Sequence, residues 1–196
     1  MSTGISFARQ SFEEAGRLLH DIARDEPLLG AIERASILCI EAVRNGGKIL
    51  FAGNGGSAAD AQHLSAELVG RLGFERPGVP AISLATDVAA LTAIGNDYGF
   101  ETVFARQVEA LGSKGDVLIC ISTSGRSPNL LKALTVARAK GIATLGLTGA
   151  TGGSMYELCD LCLRVPSTDT QKIQEAQIVI GHILCGLIER GLHAQP

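Results

Sequence analysis

From Lys48 onward the chain repeats one pattern: a short apolar run, a turn rich in Gly, Ser or Asp, then a stretch with helical spacing. The runs are Ile49–Ala52, Ala81–Ala85, Val117–Ile121, Thr144–Leu147 and Leu161–Val165, with helical segments near 58–70, 99–111, 128–139 and 153–158 between them. Strands joined through helices by short connections cannot pair as hairpins. They call for a parallel sheet with helices on both faces, which makes this an α/β chain: a three-layer αβα sandwich on five parallel strands. Before the first strand, Ser11–Ala23 and Ala31–Arg44 carry apolar residues at three- and four-residue spacing, interrupted near Glu26-Pro27. After the last strand comes one long helix, Thr170–His193, apolar on most sides (Ile178, Val179, Ile180, Ile183, Leu184, Leu187, Ile188). A helix that oily is expected to be buried between subunits, so the chain is expected to form a homo-oligomer. The resulting division is a single domain over 1–196: a helical arm over 1–45, an α/β core over 46–168 and an interface helix over 169–193.

Composition narrows the partners. At 196 residues the chain can bury a substantial core, and 46% hydrophobic content with 4% aromatic makes that core aliphatic. A net charge of −3 argues against nucleic acid or an anionic membrane as partner, so any anion must be captured locally by loops and helix ends. No apolar run is long enough to span a bilayer and the first residues lack a signal-peptide core, so a cytoplasmic protein is expected. Of five cysteines, Cys39, Cys120 and Cys185 lie in apolar runs and read as small buried hydrophobes. Cys159-Asp-Leu-Cys162 has a redox or zinc spacing, but without a second pair it is weak grounds for chemistry.

Four segments can carry function. The run Val117–Ile121 stops at Ser122-Thr-Ser-Gly-Arg-Ser127, and a helix begins near Pro128. A hydroxyl-rich turn at a helix N-terminus presents free N–H groups and the positive end of the helix dipole, which suits an anion. No lysine follows in P-loop order, so a small phosphate ester fits better than ATP. The second segment, Gly53-Asn-Gly-Gly-Ser-Ala-Ala-Asp60, admits three readings. It could bind a small ligand, it could be a turn needing glycine for its backbone angles, or it could bind a dinucleotide with Asp87 as ribose acid. The third, His63-Leu-Ser-Ala-Glu67, puts an imidazole and a carboxylate on one side of a helix, able to share a metal ion or a proton, or to make a plain surface contact. In the fourth, Gln174, Glu175, Gln177 and His182 interrupt the oily terminal helix, and burying them without partners would be costly. His20 and His193 read as surface residues.

Taken together and in order, Gly53-Asn-Gly-Gly-Ser57, Gln62-His-Leu-Ser-Ala-Glu67, Gly95-Asn-Asp-Tyr98, Ile121-Ser-Thr-Ser-Gly125 with Ser127, and Ile173-Gln-Glu175 with His182 resemble the phosphoheptose isomerases of the sugar-isomerase (SIS) superfamily. The similarity runs from about Lys48 to the end. It implies a flavodoxin-like SIS fold, a homotetramer with active sites at subunit interfaces, and an enzyme that converts sedoheptulose 7-phosphate to D-glycero-D-manno-heptose 7-phosphate through an enediol, early in heptose supply for lipopolysaccharide or another surface glycan. On this resemblance Asn54, Gly55, Gly56, Asn96 and Asp97 contact the sugar, with Glu67 and Gln174 also in the substrate pocket, and Ser122, Thr123, Ser124 and Ser127 hold the phosphate. His63, Glu67, Gln174 and His182 would bind one zinc ion per subunit, and Glu67 and His182 would be the acid/base pair. One departure is visible, since Gln177 stands where many members carry a second histidine.

Such an isomerase needs a base, a proton donor and a positive group for the enediolate. A carboxylate, an imidazole and zinc supply them, although a zinc-bound Glu is a poorer base and Asp97 is then an alternative. Two further alternatives stay open: a non-catalytic SIS protein, such as a sugar-phosphate sensor or a replication-initiator-associated protein, and an isomerase of pentose phosphates. The spacing raises one more point. Gln174 and His182 are eight residues apart, about 12 Å along one helix, so the resemblance's ligand set is met most simply if neighbouring chains share a pocket.

Overall fold

The computed structural model describes residues 3–193. Helices α1 (Thr3–Ile22) and α2 (Glu26–Arg44) precede an alternation of β1 (Ile49–Gly53), α3 (Gly56–Val69), β2 (Ala81–Ser83), α4 (Val88–Tyr98), α5 (Val103–Leu111), β3 (Val117–Ile121), α6 (Pro128–Ala139), β4 (Ala143–Thr148), α7 (Met155–Leu158) and β5 (Leu161–Arg164), closed by α8 (Thr170–His193). All strand pairs are parallel, in the order β2-β1-β3-β4-β5. This is the doubly wound order in which the chain leaves β1 toward one edge and β3 toward the other, opening a crevice at their carboxyl ends.

Successive strand residues face opposite layers, and both layers are buried, which is why the strands read as unbroken apolar runs. Ile49, Phe51, Val117, Ile119 and Leu145 pack with α2, α3 and α8, while Leu50, Ala52, Leu118 and Cys120 pack with α5, α6 and α7. Helix α2 therefore belongs to the core layer: Asp25 caps its first turn, Pro27 starts it, and Leu28, Ile32, Ala35 and Cys39 are buried along it. Helix α1 is the true arm, since Ile22 is its one buried residue.

Two helical expectations need correction. The segment read as one helix over 99–111 is broken, because Gly99 (φ +85°) ends α4, and a 3-10 turn over Phe100–Thr102 leads into α5. Helix α4 itself went unread. Its sequence is apolar all round, and none of its residues is buried by the rest of this chain. Helix α8 packs on α2, α3 and α1 of its own chain and leaves Val179 and Ile183 exposed, so part of its apolar face stays open to a neighbouring subunit. Further apolar surface lies on α1 (Ile5, Phe7, Phe12) and around α4 (Val88, Tyr98, Phe100).

Candidate active site

The carboxyl ends of β1 and β3 carry the two glycine turns. Gly53 is fixed by crowding: a Cβ there would lie 2.3 Å from the Ser57 carbonyl oxygen. Gly125 is fixed by its backbone, since its φ of +62° is a left-handed conformation and a Cβ would stand 2.0 Å from the Gly152 oxygen. One reciprocal amide pair joins the turns. Asn54 Nδ2 donates to Asn129 Oδ1 at 2.9 Å, and Asn129 Nδ2 donates to Asn54 Oδ1 at 2.8 Å. Asn129, which no local pattern singles out, is 2% exposed.

Within the hydroxyl turn the four side chains divide. Ser122 is buried and its Oγ accepts the Gly125 N–H at 3.2 Å, so it staples the turn. Its hydroxyl also meets that of Ser127 at 3.3 Å. Thr123 and Ser127 are half-buried and Ser124 is exposed, all open to a ligand. Thr123 and Ser124 line a cleft of about 220 Å³ whose other walls include Arg126, Ser167, Thr168 and Thr170. The last four were not foreseen. Ser167, Thr168 and Thr170 add hydroxyls to the cleft, and Arg126, within the turn, adds a cation.

Helices α3 and α8 run side by side in the same direction: Gln174 meets Gly56 at their start, and Leu64 meets Gly181 and Cys185 further on. This register brings His63 to His182, with Nε2–Nε2 at 2.7 Å, and leaves Glu67 Oε1 3.4 Å from His63 Nε2. Ligand atoms of all three lie within 4.8 Å of one another. The sequence showed the His63–Glu67 pair, but His182 joins it only through tertiary packing. Two imidazoles and a carboxylate form a mixed N/O set suited to a zinc-like cation. Beside them sits Asp60, one turn earlier on α3. Burial raises its carboxyl above the usual range, while the nearby His63 and His182 pull it back down.

The remaining residues lie elsewhere. Helix α8 begins at Thr170, so Gln174 is helical and stands two turns before His182, about 12 Å along the axis. Its amide Nε2 is 2.9 Å from where a Gly56 Cβ would be, so this chain groups Gln174 with the Gly55–Gly56 turn and not with the triad. Glu67 and His182 both come from one chain. Asn96 and Asp97 are exposed on the last turn of α4 and hydrogen-bonded to each other at 2.8 Å. Helix α4 packs on α5 and the 3-10 turn, so a single chain does not carry them to the triad. Gln177 is buried, donates to the Leu147 carbonyl at 2.9 Å and has its Oε1 unpartnered among the described residues. Asp87 caps α4 through the Ala90 N–H, so its carboxylate is spent on the helix and not on a ribose. Cys159 and Cys162 are free thiols, and burial pushes the first up to about 12, far from a reactive thiolate. Among the described residues no helix is long and apolar enough to cross a membrane.

Comparison with known proteins gives the family. The SIS domain family matches residues 10–149. The chain is 55% identical over 188 residues to the phosphoheptose isomerase of Burkholderia pseudomallei (strain 1710b), covering 96% of this chain and 95% of that protein. Among solved structures, a phosphoheptose isomerase from Francisella tularensis superposes with a TM-score of 0.91 at 39% identity, over 96% of this chain and all of that one. One from Neisseria gonorrhoeae gives 0.89 at 41%, over 95% and 99%. The chain belongs to the SIS domain family and, within it, to the phosphoheptose isomerases, and it is an enzyme.

Proposed function

We propose that the chain interconverts sedoheptulose 7-phosphate and D-glycero-D-manno-heptose 7-phosphate. The observation that carries this reading is the separation of its two chemical parts. An anion turn sits at the β1/β3 crevice, and a His–Glu–His triad lies two turns further along α3 and α8 than the Gly55–Gly56 turn. A ligand engaging both must be elongated, with its phosphate at one end and its reacting carbons at the other, as in an open-chain seven-carbon sugar phosphate.

Thr123, Ser124 and Ser127 hold the phosphate on a turn shaped by Ser122. That contact fixes the distant carbons and converts remote binding energy into orientation. Asn54, Gly55, Gly56 and Gln174 lie between and contact the sugar hydroxyls. Glu67 takes the C1 proton of the ketose, the enediol forms, and a proton returns to C2 to give the aldose. His182 donates to the sugar oxygens. His63, Glu67 and His182 are the residues that would hold zinc, and when bound it would supply positive charge for the developing enediolate. Gln174 reaches such an ion only with its side chain extended along α8.

The exposed apolar residues of α1 and α4 support a homotetramer, in which Asn96 and Asp97 approach the pocket of a neighbouring chain. The reading includes a cytoplasmic enzyme whose product would supply heptose for lipopolysaccharide or another surface glycan. The test is substrate length. Followed by NMR, sedoheptulose 7-phosphate should turn over well ahead of pentulose and hexulose phosphates, and equal turnover of a five-carbon substrate would overturn the assignment.

A further inference from the structure

The connection from α3 to β2 carries a buried ion pair that touches both helices of the triad. Arg76 and Glu189 are 1% and 2% exposed, with Arg76 Nε donating to Glu189 Oε1 at 3.0 Å. The rest of the guanidinium is spent on the C-terminal carbonyls of α3. Nη2 donates to the Glu67 oxygen at 2.8 Å, and Nη1 donates to those of Leu68 at 2.6 Å and Gly70 at 2.9 Å. The Glu189 carboxylate also accepts the N–H groups of Leu72 at 3.0 Å and Gly73 at 2.8 Å. On α8, Glu189 lies seven residues beyond His182, nearly two turns and therefore on the same face. One group thus grips the backbone of Glu67 itself and, through a carboxylate, the helix that presents His182.

A buried ion pair is poorly explained as a source of stability, because well-packed apolar side chains of similar volume often do as well or better. What it supplies is direction. The planar fork of Arg fixes angles as well as distance, and every acceptor it meets lies on α3, on α8 or on the α3–β2 connection. The same pair fastens Leu72 and Gly73, which with Phe74 form one wall of a cavity of about 410 Å³ beside His182.

We propose that Arg76 and Glu189 are positioning residues: they set the register of α3 against α8, and so hold Glu67 at the His63–His182 contact and shape the wall next to it. The proposal rests on the reading of the triad as the reacting centre. Neither residue touches the reacting atoms. They act through the Glu67 backbone and through α8.

The test uses the full chain with Arg76→Lys, Arg76→Met and Glu189→Gln, each checked for native circular dichroism, and two readouts that partial unfolding does not imitate. The first is the affinity of chelator-stripped protein for zinc alone. The second is the set of imidazole nitrogen resonances reporting the His63–His182 contact. Folded variants should bind zinc roughly 10- to 100-fold more weakly and lose kcat by a similar factor, the usual consequence of removing a group that orients ligands. KM for the sugar phosphate should change little, because the anion turn is on another element. Arg76→Lys should recover part of the loss by keeping the charge but not the fork. If Arg76→Met does not fold, Glu189→Gln, which keeps volume and one acceptor, decides. Wild-type zinc affinity, imidazole signals and kcat in a folded variant would overturn the proposal. Wild-type kcat in Glu67→Gln would instead overturn the triad reading, and the imidazole signals would still report on the clamp.

Discussion

Replacing Asn129 by Ala should uncouple the sugar-binding turn from the phosphate-binding turn. The side chain is buried, and its amide makes both hydrogen bonds of the reciprocal pair with Asn54, at 2.8 and 2.9 Å. A neutral hydrogen bond contributes about 1 kcal/mol net, so losing two costs roughly 2 kcal/mol. For a chain of this size each kcal/mol moves Tm by about 2–4 °C, giving a fall of roughly 4–8 °C. Asn54→Ala deletes the same two bonds and should cost a similar amount. The double variant should cost little more than either single one, so a double-mutant cycle should return a coupling close to the full 2 kcal/mol. With Asn54 no longer tethered, KM for the sugar phosphate should rise in Asn129→Ala although Asn129 is placed to support the turn and not the ligand. Thermal unfolding of the four proteins, with steady-state kinetics on each, measures all of this. Additive losses in the cycle, or an unchanged KM, would refute the idea that the pair ties the turns together.

Three other outcomes follow from the same structure. Gly125→Ala forces a side chain into a left-handed backbone, at about 1–2 kcal/mol, and against the Gly152 oxygen, so calorimetry with inorganic phosphate should show lost affinity and a lower Tm. Burial alone would raise the Glu189 carboxyl, but the Leu72 and Gly73 N–H groups and Arg76 outweigh it and hold the group below its ordinary 4.5. A carboxyl depressed by folding stabilises above its unfolded value, and that stability is lost as pH falls through the lower folded value. Wild-type Tm should therefore drop more steeply than that of Glu189→Gln below about pH 4.5, and parallel curves would contradict the linkage. Because one chain holds both Glu67 and His182, oligomers reassembled from Glu67→Gln and His182→Gln chains should stay inactive. Recovered activity, with hybrids confirmed by mass spectrometry, would place the groups on different chains.

What could be read from the sequence was what lies close along the chain. The three central strands are apolar runs whose burial is nearly complete, and the His63–Glu67 pair and the Ser122–Ser127 turn are each local. Helix α4 escaped because periodicity shows clearly only where one face is fully buried, and here Leu91 and Ile94 are only partly covered while Val88 is exposed. Asn129 and Arg76 escaped for a different reason, since their partners stand 75 and 113 residues away and no local pattern marks such pairings. His182 drew notice as a polar break in an oily helix, yet its meeting with His63 depends on the parallel packing of α3 and α8. The resemblance named Gln174 with the triad, whereas the continuous helix sets it apart.

The central claim is that a triad within one chain isomerises a phosphorylated heptose held by the Ser122–Ser127 turn. The most direct measurement is the NMR time course of sedoheptulose 7-phosphate with wild-type protein and with Glu67→Gln, whose volume and fold are preserved. The wild type should form the aldoheptose 7-phosphate, and removing the base should slow this by roughly 10²- to 10⁴-fold with the anion turn still binding phosphate. No aldoheptose phosphate from the wild type, or an undiminished rate in Glu67→Gln, would contradict the account.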